Sequence, residues 1–140
     1  MAELAHGIAA SIEALTREPI AVVIDAAGGV CAELAESHAV PVALALTELA
    51  FNAVRHKAGD GGVRLALRVD AECRAELRIS NPGRLPDGFP AAAAGTGIGL
   101  VGALLPDVGS TLAWQQRDGR AEAHLALAPP LLCCTAGVAT

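Results

Sequence analysis

The sequence predicts an α+β protein, a two-layer α/β sandwich whose mixed, mainly antiparallel sheet is covered on one face by helices. Residues 40–56 form a long apolar run of helical composition. Residues 63–69 and 75–79 alternate apolar and polar side chains, the pattern of half-buried strands, and residues 111–127 repeat this alternation around a central turn. Helices and antiparallel strands interspersed in one short chain are typical of a two-layer sandwich.

The composition limits the class of protein. A chain of 140 residues is the size of one domain, and an apolar content of 53% is enough for a core. The net charge of −5, with no cluster of Lys and Arg, argues against a nucleic-acid partner. The first residues lack the basic flank of a signal peptide, and we expect no apolar run of membrane-spanning length. We therefore expect a cytoplasmic protein without direct membrane contact.

The first third of the chain predicts a helix and then a strand. Apolar residues recur at helical spacing over residues 3–17, namely Leu4, Ile8, Ile12 and Leu15. Glu18–Pro19 should end this helix. Ile20–Ile24 is a short β-branched run that favours a strand, whereas residues 30–38 are ambiguous between strand and helix.

The remaining elements follow from periodicity and from turn residues. The buried helix over about 40–56 ends before a glycine-rich turn, and two strands then form a hairpin around Asp70–Arg74. Residues 82–96 are expected to be loop, followed by a small helix from about 98 to 105. A second hairpin should turn at Asp118–Gly119. We expect one domain over 1–128 and a tail over 129–140.

The buried helix carries a polar stripe. Glu48, Asn52 and His56 are spaced four residues apart, so they lie on one side of the helix. A carboxylate, an amide and a base in a buried position are costly unless they are paired. The partner is either another protein group, which would make Glu48 and Asn52 a hydrogen-bonded pair in the core, or a ligand.

Two later motifs favour the ligand. Ile79–Gly83 (Ile-Ser-Asn-Pro-Gly) follows a strand, and Gly95–Leu100 (Gly-Thr-Gly-Ile-Gly-Leu) opens a helix. Taken with Glu48 and Asn52, the three motifs in this order resemble the histidine-kinase and gyrase-type ATPase superfamily, the Bergerat fold. The resemblance spans about residues 20 to 127. Within that superfamily the chain looks like the catalytic domain of a bacterial sensor histidine kinase.

The resemblance implies an ATP and Mg²⁺ site. Asn52 would ligate Mg²⁺ directly, and Glu48 would hold a metal-bound water or act as a base. Arg55 and His56 would face the phosphates or the ribose. The phosphate-binding motif would consist of Gly95, Thr96, Gly97, Ile98, Gly99 and Leu100, because glycines permit close backbone approach and a helix N-terminus binds anions. The alternative is that these glycines only punctuate a loop.

The adenine end of the site departs from the family pattern. Asn81 stands where the family more often has an Asp that accepts a hydrogen bond from the adenine amino group, with Gly83 following. Asn81 can accept through its amide oxygen but offers no charge, and Pro82 removes a backbone donor. The alternative is an ordinary Asn-Pro-Gly turn. Residues 84–96 would form a short ATP lid, with Phe89 its one aromatic residue.

The implied function is phosphotransfer from Mg·ATP to a histidine on a separate dimerisation and phosphoacceptor domain. That histidine would then pass the phosphoryl group to a response regulator. His6 lies too near the start of the sequence for a full helical hairpin to separate it from the ATP site, so we expect the acceptor outside this chain. We expect the isolated domain to be a monomer because the usual dimerising helices are absent. Two alternatives are open. One is an anti-sigma-factor-type serine kinase, against which Asn81 counts. The other is a scaffold that has kept the fold and lost ATP.

The four cysteines match no zinc or redox spacing. They are Cys31, Cys73, Cys133 and Cys134. We expect them to be reduced thiols, buried or in the tail.

Overall fold

A computed structural model of the chain describes residues 1–86, 89 and 97–136. Within those residues the helices are α1 (Ala2–Thr16), α2 (Ala39–Arg55) and α3 (Gly97–Leu104). The strands are β1 (Ile20–Ala26), β2 (Val30–Leu34), β3 (Val63–Val69), β4 (Ala75–Pro82), β5 (Ser110–Arg117), β6 (Arg120–Leu127) and β7 (Leu132–Ala136). Single turns of 3-10 helix precede β2 and α2.

Five strands form one sheet in the order β1-β3-β4-β6-β5. β1 and β3 are parallel, because α2 lies between them in the chain and carries it back across the sheet, while the other neighbours are antiparallel. The helices pack on one face of this sheet. The predicted fold class, an α+β sandwich with a mixed, mainly antiparallel sheet, is therefore confirmed.

The core lies between the sheet and the helices. Along β3 every second residue is buried, from Val63 to Val69, while Arg64 and Arg68 lie on the exposed face. α2 contributes a continuous buried stripe of Val42, Ala45, Leu46, Leu49, Ala50 and Ala53. The core is therefore built from small and branched aliphatic side chains, as the low aromatic content requires.

The expectation that no apolar run reaches membrane-spanning length is wrong. Residues Glu36–Arg55 form a helical segment of 20 residues with a mean hydropathy of 1.2. By length and composition alone, this segment is long and apolar enough to cross a membrane. Core helices of water-soluble proteins share this property, so it does not by itself indicate a membrane span. In this fold the buried apolar side chains of α2 belong to the core, whereas Val40 and Leu44 of the same helix are exposed.

The C-terminal residues join the fold. Leu132–Ala136, expected in a tail, form β7 and pair antiparallel with β2, which resolves the ambiguous stretch over 30–38. Leu131 and Leu132 are buried, and their apolar side chains draw the segment back onto the core. The expectation of four reduced thiols is also wrong, because Cys73 and Cys134 form a disulfide. The spacing of cysteines along a sequence does not reveal which of them meet in the fold.

Candidate functional site

The polar stripe of α2 lies along one border of its buried face. Glu48 and Asn52 are half-buried, and His56 is exposed at the end of the helix. Among residues 1–86, 89 and 97–136, none forms a hydrogen bond or an ion pair with the side chain of Glu48 or Asn52. The two side chains are therefore not the hydrogen-bonded core pair that the sequence left open. They present oxygen atoms that a ligand can use.

Asn81 ties the end of β4 to the end of α2. Asn81 is 6% exposed. Its amide nitrogen Nδ2 donates to the carbonyl oxygens of His56, at 3.2 Å, and Pro82, at 3.0 Å. The backbone N–H of Ala58 donates to the same Pro82 oxygen at 2.8 Å. Because both partners of Nδ2 are acceptors, the orientation of the amide is fixed, and Oδ1 is the atom left to accept a bond from a ligand.

The motif around Asn81 is not a free-standing turn. Asn81 and Pro82 are the last residues of β4 and pair with Ala121 and Arg120 of β6. Gly83 follows at a φ of 135°. A Cβ atom on Gly83 would lie 3.3 Å from the His56 carbonyl oxygen. The glycine thus allows β4 to end directly against α2.

We expect Gly83→Ala to lower the free energy of unfolding by about 1–2 kcal/mol, because alanine is strained at this φ and its Cβ crowds the His56 carbonyl. Chemical denaturation measures the change. Gly102→Ala is the matched control. Gly102 lies in α3, and a Cβ atom added there would have no neighbouring atom within 4 Å. Alanine should be neutral or slightly stabilising at that helical position. Equal effects of the two substitutions would contradict the close approach at Gly83.

Two side chains that the sequence did not single out hold this end of the sheet. Gln116 of β5 donates from Nε2 to the Gly83 carbonyl at 2.9 Å and accepts from Leu85 N–H at 2.8 Å. Arg120 donates to the carbonyl oxygens of Gly62, at 2.6 Å, and Ser80, at 3.1 Å. In the sequence neither residue differs from an ordinary polar residue of a half-buried strand, so only the strand register reveals them.

The guanidinium of Arg120 also donates to Ser80 Oγ at 3.2 Å. Burial lowers the pKa of Arg120 from its ordinary value, the charge of Arg64 lowers it further, and Glu122 opposes the shift. Arginine remains charged at physiological pH despite such a shift. The charged side chain of Arg120 therefore holds the turn before β3 against the end of β4 through these hydrogen bonds.

The glycine-rich motif is described only in part. Gly95, Thr96 and most of the expected lid lie outside the described residues. α3 begins at Gly97, close to the predicted start at 98, and it packs against α2 with Val101 fully buried. Gly99 and Leu100 are exposed in its first turn. The first N–H groups of a helix lack partners within it, so α3 offers donors for an anion.

The structure brings some of the expected site residues together and leaves others apart. His56, Asn81 and Gly83 meet at the junction of α2 and β4. Arg55 is exposed and pairs with no acidic residue of the described chain. Two cavities, of about 520 and 570 Å³, lie toward the opposite end of the sheet, beside Arg74 and beside Ile24 respectively. Neither is part of the expected nucleotide site.

The donor atoms of α2 fit magnesium. Mg²⁺ takes oxygen ligands, keeps several waters and is usually held by one or two protein groups. Asn52 offers an amide oxygen and Glu48, one helical turn away, offers a carboxylate. No cluster of three or more His, Cys, Asp or Glu side chains suited to a metal occurs in the described part of the chain. Glu48 and Asn52 together match the one or two protein groups that Mg²⁺ usually takes.

The fold has counterparts among solved structures. The catalytic domain of histidine kinase ThkA superposes with a TM-score of 0.68 at 13% identity, covering 90% of this chain and 91% of that one. Acinetobacter baumannii histidine kinase AdeS gives 0.66 at 13% identity, covering 91% and 64%. Full-length ShkA in complex with AMPPNP gives 0.67 at 18% identity, covering 97% and 31%.

The chain matches no protein-family model and no curated protein. It spans less than two thirds of the AdeS and ShkA chains. The chain has the fold of histidine-kinase catalytic domains, and the resemblance predicted from the three motifs is confirmed at the level of the fold.

Proposed function

We propose that the chain is the catalytic domain of a protein-histidine kinase. It binds Mg·ATP and donates the γ-phosphate to a histidine on a separate dimerisation and phosphoacceptor domain, which passes the phosphoryl group to a response regulator. The observation that carries the proposal is the pair Glu48 and Asn52. Both are half-buried without a partner among the described residues, on a fold shared with histidine-kinase catalytic domains.

Asn52 would hold Mg²⁺ through its amide oxygen, and Glu48 would bind a water of the metal or act as a base. When bound, the metal neutralises charge on the phosphates. The half-buried position strengthens this role, because electrostatic attraction is larger where water is partly excluded. A residue on the solvent-exposed face of the sheet would attract the metal more weakly, because water would screen its charge.

Asn81 would recognise adenine. Its Nδ2 is engaged by the carbonyls of His56 and Pro82, which leaves Oδ1 to accept a hydrogen bond from the exocyclic amino group. The phosphates would lie at the start of α3, against the N–H groups that follow Gly97, with Gly95 and Thr96 completing the motif. Arg55 and His56 would approach the phosphates or the ribose from the end of α2.

The chemistry required of this domain is positioning and charge stabilisation. Phosphoryl transfer needs the nucleophile and the leaving group held in line, with little covalent work by the protein. The side chains of α2 and β4 are suited to this, since the hydrogen bonds around Asn81 fix one against the other.

The test separates histidine from serine as the acceptor. The chain is incubated with Mg²⁺, γ-labelled ATP and candidate phosphoacceptor domains, and the stability of the label in acid and alkali is measured. We expect an acid-labile, alkali-stable label, as phosphohistidine gives. An acid-stable label on a serine-bearing partner would favour the anti-sigma-factor-type kinase. Absence of nucleotide binding would favour a scaffold that has lost ATP.

A further inference from the structure

All four cysteines of the chain meet at one corner of the fold. Cys31 lies in β2, Cys133 and Cys134 lie in β7, and Cys73 in the β3–β4 turn is joined to Cys134 by a disulfide. We propose that this corner is a site of thiol–disulfide exchange with a dithiol reductant, and that the exchange decides whether the distal half of β7 is held on the rest of the fold. This inference does not depend on nucleotide binding.

The two kinds of sulfur lie on opposite sides of the β2–β7 ribbon. Successive residues of a strand point to opposite faces, so Cys134 turns towards Cys73 while Cys133 turns to solvent. Cys31 and Cys133 are exposed free thiols. Cys31 pairs with Thr135 and Glu33 pairs with Cys133, which makes the two thiols diagonal neighbours on the outer face.

The disulfide is within reach of a reductant. Exchange requires a thiolate to reach one of the two sulfurs. Cys73 and Cys134 are half-buried rather than enclosed in the core, and Cys73 belongs to a turn whose neighbours Glu72 and Arg74 are exposed. A small dithiol can therefore approach the bond from the side of the turn.

The distal half of β7 depends on this bond. A two-stranded ribbon by itself is only marginally stable in water. The start of β7 is anchored by the buried residues Leu131 and Leu132 and by a hydrogen bond from Ala35 N–H to the Leu131 carbonyl, at 2.8 Å. Beyond them, Cys133 and Thr135 are exposed. The covalent link from Cys134 to a turn 61 residues earlier in the chain therefore holds the distal half of the strand.

The exchange is balanced in atoms and electrons. One thiolate of the dithiol attacks a sulfur of the disulfide, forming a mixed disulfide and breaking the bond between Cys73 and Cys134. The displaced cysteine leaves as a thiolate and takes up a proton. The second thiol of the reductant then attacks the mixed disulfide and releases the other cysteine, which is also protonated. The protein disulfide gains two electrons, and the dithiol becomes a cyclic disulfide.

The first part of the test counts thiols. The protein, purified without reductant, is treated with dithiothreitol in its native state, alkylated and analysed by mass spectrometry. We expect alkylation only at Cys31 and Cys133 before treatment, and at Cys73 and Cys134 as well after it. Four alkylated cysteines before treatment, or a disulfide that resists dithiothreitol in the folded protein, would overturn the proposal.

The second part measures the release of β7 by amide hydrogen exchange. We expect exchange in the distal half of β7 and in the β2 residues paired with it to become at least about tenfold faster in Cys73→Ser, with β3 and β4 unchanged. Cys133→Ser is the matched control, since it removes a free thiol of β7 and leaves the disulfide intact. The wild-type chain after reduction should behave as Cys73→Ser does, which guards against an effect of the substitution itself. Unchanged exchange in both would show that the disulfide does not hold the strand.

Discussion

Asn52→Ala is expected to weaken Mg-dependent ATP binding at least about 100-fold, which corresponds to about 2.7 kcal/mol. The substitution removes the amide oxygen that would ligate the metal, and alanine offers no replacement. The fold should be unaffected, because the Asn52 side chain makes no hydrogen bond to a described residue and alanine is a better helix former than asparagine. Isothermal titration with ATP, in Mg²⁺ and in EDTA, measures the change.

Two further variants make this result specific. Asn52→Asp keeps an oxygen ligand at the same place and should retain Mg-dependent binding. Gln115→Ala truncates an amide on β5, which is remote from α2 in the sheet order, and should bind ATP as the wild type does. If the Asn52→Ala protein binds ATP in Mg²⁺ with wild-type affinity, Asn52 is not a metal ligand.

Asn81→Asp is expected to lower the free energy of unfolding by about 1–3 kcal/mol. The sequence alone suggests a gain from Asp, since a carboxylate is the stronger acceptor for adenine. The structure adds an opposing effect. A carboxylate cannot donate to the carbonyls of His56 and Pro82, which now receive hydrogen bonds at 3.2 and 3.0 Å. Chemical denaturation at neutral pH measures the loss.

Asn81→Ala separates stability from recognition. Alanine leaves the same two carbonyls without the donor, so it should destabilise the fold, and it should also lose ATP affinity because no acceptor remains for adenine. Asn81→Asp should be destabilised but still bind ATP. Equal ATP affinities for the two variants would place Asn81 outside the base pocket, and a fully stable Asn81→Asp would mean that its amide does not hold the end of α2.

Much of the fold could be read from local patterns. The alternation over Val63–Val69 and the turn at Asp118–Gly119 are encoded by neighbouring residues, and the structure contains both. The buried stripe of α2 likewise follows from spacing within one helix. β7 was missed because its partner, β2, is about a hundred residues away, and a pairing at that distance leaves no local signal.

The sequence offers the residue types of the expected site, whereas the hydrogen bonds around them are visible only in the structure. Asn81 could be identified as a polar residue at the end of a strand, but the sequence does not show that Nδ2 is engaged by His56 and Pro82. The hydrogen bonds that Gln116 and Arg120 make to this end of the sheet depend on the register of the β5–β6 hairpin against β4. The roles of Glu48, Asn52 and the glycine motif remain predictions from the resemblance.

The most direct measurement is the thermal unfolding of the chain with ATP or ADP, each with and without Mg²⁺. Ligand at about a hundred times Kd should add roughly 2.7 kcal/mol to the free energy of unfolding, a rise of several degrees for a domain of this size. We expect a rise that requires Mg²⁺ and that disappears in Asn52→Ala. No change at millimolar nucleotide would contradict the proposed ATP site and would leave the fold as a protein-interaction scaffold.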